Sequence, residues 1–176
     1  MAARPSPRRV AILLALAVAL LGPVVTTSPA LAAPGGSTTV TTKKGLTLTA
    51  TPVRRLPSSS TIRVTGRGYD RTVGIYVALC VKPVSKRRAP GPCGGGVNTS
   101  GASAASAWVS SNPPPYGRSL AIPFRRGGRF DVRLTVSPMI GSIDCRRVSC
   151  AIVTRADHTR PGDRRFDVSI PVSFVR

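Results

Sequence analysis

The chain has 176 residues, 26 of them Lys or Arg against six acids, all Asp, with four cysteines and one His. That length bounds it to one domain, and the scarcity of Glu and His leaves little for acid–base or metal chemistry. The formal charge of +20 says little about fold but predicts attraction to anionic polymers.

The chain opens on a targeting pattern. Arg4, Arg8 and Arg9 precede an unbroken apolar run from Val10 to Leu21, which Gly22 and Pro23 end. Such a run is too short for a bilayer core, which takes about 20 residues. Ala30-Leu31-Ala32 places small residues where a signal peptidase reads. Residues 1–32 are therefore read as a secretory signal peptide, with an uncleaved anchor as the alternative. No second long apolar run follows, so no transmembrane segment is expected after cleavage. The mature chain is expected to be secreted, and held at the cell wall in one version of the reading. It keeps 23 basic residues against six Asp, a balance of +17.

Residues 33–45 begin small and Gly-rich and read as a flexible lead-in. Period-two alternation then predicts strands. Leu46, Leu48 and Ala50 share a face, as do Ile62 and Val64, then Val73, Ile75, Val77 and Leu79. Later runs are Leu120 to Phe124, Phe130 to Val136, Ala151 to Val153 and Val168 to Phe174. About seven short strands bounded by Gly, Pro, Asp and Ser predict an all-β antiparallel sandwich over residues 46–176. Residues 81–117 read as a long Pro/Gly-rich loop, of the length that is either functional or disordered. The alternation puts Arg and Thr on the wet faces. That spreads positive charge over both outer surfaces and argues against a specific nucleic-acid site, which would cluster it.

Four cysteines in an exported chain read as two disulfides. Three pairings are possible, and the local one, Cys80 with Cys93 and Cys145 with Cys150, is the simplest. The loop-entropy model makes the longer ring stabilising by roughly 3 kcal/mol and the shorter by roughly 2 kcal/mol. Zinc is disfavoured, because no Cys-x-x-Cys pair exists and His158 is the sole imidazole. No G-x-S-x-G, H-E-x-x-H or Walker loop is present, so no catalytic residue and no enzyme activity are expected. Asp157 and His158 would point to opposite faces of a strand, which excludes a simple relay.

Trp108, Tyr116, Tyr76 and His158 remain as the four candidate ligand contacts. His158 could ligate a haem, with Tyr69, Tyr76 or Tyr116 as the phenolate alternative, or could bond within its own turn. Trp108 could floor a ligand cleft or cap the core from the long loop.

The segments Val64-Thr65-Gly66-Arg67-Gly68-Tyr69, Val77-Ala78-Leu79-Cys80, Gly141-Ser142-Ile143-Asp144-Cys145 and Cys150-Ala151-Ile152-Val153 resemble the neocarzinostatin-type apoproteins of actinobacteria. That resemblance implies an immunoglobulin-like seven-stranded sandwich with two intrachain disulfides. Gly74 to Cys80, Trp108 to Pro114, and Thr154 to Thr159 with Asp163-Arg164 resemble the small secreted modules associated with HtaA-type haem-transport proteins. Together the two resemblances imply a non-enzymatic binding module for a small hydrophobic ligand, or one in the haem-uptake neighbourhood, with no resident cofactor unless haem is bound. The alternatives are an apoprotein carrying an enediyne-type antibiotic chromophore, or a basic protein that binds an anionic cell-wall polymer. The chain departs from the drug-carrying apoproteins in being basic and in a long Pro/Gly insertion between its second and third cysteines.

Overall fold

Ten strands alternate inward and outward side chains along most of the chain in the computed structural model, which describes residues 33–85, 87–95 and 105–176. The proposed signal peptide, residues 1–32, lies outside the described residues, as do Lys86 and Gly96. In order the strands are β1 (Thr38–Thr41), β2 (Thr47–Thr51), β3 (Ser60–Arg67), β4 (Ile75–Val81) and β5 (Ser106–Val109), then β6 (Phe130–Val136), β7 (Met139–Ile140), β8 (Ile143–Asp144), β9 (Cys150–Ala156) and β10 (Val168–Val172). They form two four-stranded antiparallel sheets, β1-β2-β3-β6 and β10-β9-β4-β5, with a small β7-β8 hairpin. The all-β, immunoglobulin-like sandwich expected from the sequence is therefore present, with more strands than the seven predicted.

The core lies between the two sheets. Leu48, Ile62, Val64 and Leu134 of the first sheet and Ile75, Ile152 and Ile170 of the second are wholly buried in one cluster. Each such side chain contributes about 1.5–3 kcal/mol by leaving water. One polar link crosses this layer. Buried Tyr69, just past β3, bonds through its hydroxyl to Thr154 Oγ1 of β9 at 3.0 Å, and Thr154 Oγ1 donates onward to the carbonyl of Phe166 at 2.8 Å. Both disulfides join the locally paired cysteines, Cys80–Cys93 and Cys145–Cys150.

Several details differ from the sequence reading. The lead-in is not wholly irregular, because β1 lies in it and pairs with β2 from Thr38↔Ala50 to Thr41↔Thr47. The 81–117 loop contains β5, whose Ile75↔Val109 to Ala78↔Ser106 register extends the second sheet. The predicted strand at Leu120 to Phe124 is reduced to one bridge, Val109↔Ile122, since Pro123 has no N–H to offer a ladder. Charge is not spread evenly over both outer surfaces either. On the second sheet's outer face Ala78, Cys80, Ala151 and Val153 form their own buried apolar cluster, with Cys93 packed against it.

Candidate functional site

That doubly covered sheet makes the site. β4 alternates Ile75, Val77 and Leu79 toward the core with Tyr76, Ala78 and Cys80 outward, and all but Tyr76 are buried. Its partner β9 runs in the register Tyr76↔Arg155, Ala78↔Val153 and Cys80↔Ala151, so small apolar side chains meet on the outer face. β5 ends beside Ala78, and the edge position next to the last residues of β4 passes to the segment around Cys93. There Gly94 N–H donates to Leu79 O at 2.7 Å and Val81 N–H to Pro92 O at 2.9 Å. The Arg155 side chain crosses the face and donates to the Pro90 carbonyl at 3.0 Å, holding the strap against the sheet.

The strap and the sheet enclose a cleft of about 310 Å³. Ala78 and Val153 line its apolar base, Cys80–Cys93 and Pro92 one wall, and Tyr76 and His158 its polar rim. The disulfide thus borders the cleft directly.

The rim is hydrogen-bonded. His158 bonds through Nδ1 to the Tyr76 hydroxyl at 2.5 Å and through Nε2 to the Tyr116 hydroxyl at 2.6 Å. A neutral imidazole carries one N–H and one bare nitrogen, so one phenol donates to the ring and the other accepts from it. Burial, and next the negative charge of Asp157, push the Tyr76 phenol up to about 12, so it stays protonated at any physiological pH. Trp108 packs edge-on against His158 with ring centres 5.2 Å apart. Its indole N–H donates to Asp157 Oδ2 at 2.9 Å. Asp157 Oδ1 accepts from the backbone N–H and the hydroxyl of Thr159, at 2.9 and 2.6 Å. The turn that carries His158 is therefore held by its neighbour, Asp157.

The four candidate ligand contacts named from sequence come together here. Tyr76 and His158 line the cleft; Trp108 and Tyr116 stand behind His158. Trp108 lies on a strand rather than on the loop, 6% exposed, and a Cβ added to Gly117 would sit 2.3 Å from its ring, so the Pro115–Gly117 turn rests directly on the indole. His158 does not bond within its own turn but to two tyrosines of distant segments. Because β9 stops at Ala156, Asp157 and His158 do not follow strand alternation, and both line the cleft. Tyr69, offered as a phenolate ligand, is instead a core residue bonded to Thr154.

Arg155, Gly91 and Pro92 were not singled out as site residues from sequence, Cys93 was named only as a disulfide partner, and Asp157 was weighed only as a relay partner and set aside. The available signal was the run Ala78-Leu79-Cys80, whose outward positions are as small and apolar as a buried face requires. Among the described residues, no three His, Cys, Asp or Glu side chains are placed to hold a metal ion. No helix of the described residues is long and apolar enough to cross a membrane.

No family model and no curated protein sequence matches the chain. Among solved structures it is similar to macromomycin, at 17% identity and a TM-score of 0.46, over 74% of this chain and 99% of that one.

Proposed function

We propose that this chain is a non-enzymatic, exported carrier of a small apolar molecule, held on the outer face of the second sheet. One observation supports the reading above others: a cleft of about 310 Å³, apolar at its base, is walled by a disulfide and rimmed by the bonded Tyr76–His158–Tyr116 group. Small-molecule sites begin near 300 Å³ and combine apolar lining with a few placed polar groups. The exported location rests on the leader pattern of residues 1–32 together with two disulfides, which persist in oxidising compartments.

The ligand classes implied by the sequence resemblance make different demands. Haem ligation by His158 requires one ring nitrogen to leave its tyrosine, and Tyr76 is held as a neutral phenol rather than a phenolate. A metal-free apolar ligand, of which an enediyne-type chromophore is one kind, enters without breaking either bond.

Titration of the mature protein with haemin and with metal-free protoporphyrin tests this through the fluorescence of Trp108, the sole tryptophan. Saturable quenching by the metal-free probe is expected, and loss of it in Val153→Phe, which fills the cleft without adding a second indole. Quenching that survives Val153→Phe, or none by either probe, would remove the proposal. A Soret shift with haemin alone would favour the haem version.

A further inference from the structure

We propose that the opposite face of the sandwich, the outer surface of β1-β2-β3-β6, binds an extended polyol-phosphate chain, with its phosphates gripped between opposed arginines. The β3–β6 register sets Arg63 directly opposite Arg133. Arg125 and Arg129 oppose each other in the hairpin before β6, joined by two backbone hydrogen bonds of 2.8 and 3.2 Å. Like charges directly opposite destabilise a sheet, yet this face keeps two such pairs. The acid at a strand position here is Asp131, and Arg63 already engages both of its oxygens, at 3.0 and 2.6 Å. Arg67, Arg125, Arg126 and Arg129 surround a shallow dish of about 460 Å³ with Thr47 and Thr49 in its lining.

The chemistry of these groups selects the partner. Guanidinium forks match phosphate oxygens two at a time; the Arg63 fork is taken by Asp131, so the gripping falls to Arg133 and to the opposed Arg125 and Arg129. Threonine hydroxyls both donate to and accept from alcohols, and the register places Thr39, Thr49 and Thr65 in one row across three strands. Arg63 and Arg67 stand four residues apart on β3, about 13 Å along the strand, which one phosphate cannot span and a repeating polyanion can. Proteins that hold single-stranded nucleic acid stack its bases on aromatic rings; the one aromatic residue lining the dish, Phe130, is 3% exposed and packed in the core, so it offers no stacking face. A phosphodiester chain without bases is the fit.

The test measures affinity of the mature protein for poly(glycerol phosphate), with oligothymidylate of equal phosphate number as comparator. Combining Arg125→Ser, Arg126→Ser and Arg129→Ser is expected to weaken poly(glycerol phosphate) binding more than tenfold. The slope of log affinity against log salt should fall by about two, at roughly 0.7 per lost contact. Removing the same charge at Arg54, Arg118 and Arg147 is expected to cost less than threefold. A second variant, Arg133→Thr, is expected to weaken binding while raising the denaturation midpoint of the free protein, because it relieves the repulsion with Arg63. Equal losses from both triple variants would reduce the effect to diffuse charge. Tighter binding of oligothymidylate, or an Arg133→Thr variant that is less stable and binds unchanged, would equally overturn the proposal.

Discussion

The indole N–H of Trp108 donates to the carboxylate of Asp157 at 2.9 Å, and so ties β5 to the end of β9 across the intervening strand β4. The bond passes over Gly74, just before β4, where an added Cβ would lie 1.9 Å from Asp157 Oδ2. Only the absence of a side chain at that position lets the carboxylate reach the indole. The turn bearing His158 inherits its place from this contact.

Gly74→Ala is therefore expected to evict the carboxylate and destabilise the fold by about 2–3 kcal/mol, the scale of a lost hydrogen bond to a charged group. Trp108→Phe removes the donor and also the ring atoms on which Gly117 rests, and is expected to cost about 3 kcal/mol. Because both changes break the same bond, the double variant should fall short of the sum. Urea midpoints of the three variants check this; strict additivity would mean that the contact is not shared.

Two carboxylates near the C-terminal turn respond to pH in opposite senses. Burial pushes Asp167 up to about 6, against the partial relief of Arg164 and Arg155. Between about pH 4 and 6 the folded chain holds that proton more tightly than the unfolded chain does, so stability falls as pH rises through this window. Asp163, whose carboxylate Arg165 holds down to about 2 through their hydrogen bonds, favours the fold above pH 4 and loses that contribution as pH falls toward 2. Asp167→Asn is expected to be more stable than the parent at pH 7, by on the order of 2 kcal/mol, and to lose that advantage at pH 4. An advantage equal at both pH values would exclude Asp167 as the source.

Removing Cys80–Cys93 by paired Cys→Ala changes is expected to cost about 3 kcal/mol and removal of Cys145–Cys150 about 2 kcal/mol, from loop lengths alone. The two differ in a second respect, since only the first borders the cleft. Loss of the first should abolish saturable quenching of Trp108 by metal-free protoporphyrin, and loss of the second should leave it within about threefold once stability is matched. Measuring both on the same preparations separates the entropic role of the bond from its role as a wall.

Strand positions with one wet face were legible in the sequence, because Phe130, Val132, Leu134 and Val136 alternate with polar residues in the only pattern that buries one side of a strand. β5 was not, because all four of its residues are buried and a segment covered on both faces shows no alternation. β1 was missed for the complementary reason: Thr38–Thr41 offers one aliphatic residue, Val40, and is recruited by pairing with β2. Tyr76, Trp108, Tyr116 and His158 could be named as candidates by residue type. Their meeting depends on the Tyr76↔Trp108 and Tyr76↔Arg155 registers, which join segments far apart in the chain. The opposition of Arg63 and Arg133 on the other face is hidden for the same reason, since arginine spacing along one strand does not say what lies across from it.

β4 is read from two sides at once. Ile75, Val77 and Leu79 serve the interior, while Tyr76, Ala78 and Cys80 shape what a guest molecule would meet. Substitutions at Tyr76 and Ala78 can thus enlarge, shrink or re-tune the recess while the odd-numbered positions and the Cys80–Cys93 bond keep the scaffold intact. A lineage carrying this strand could exchange one cargo for another by changing alternate residues, without passing through an unfolded ancestor.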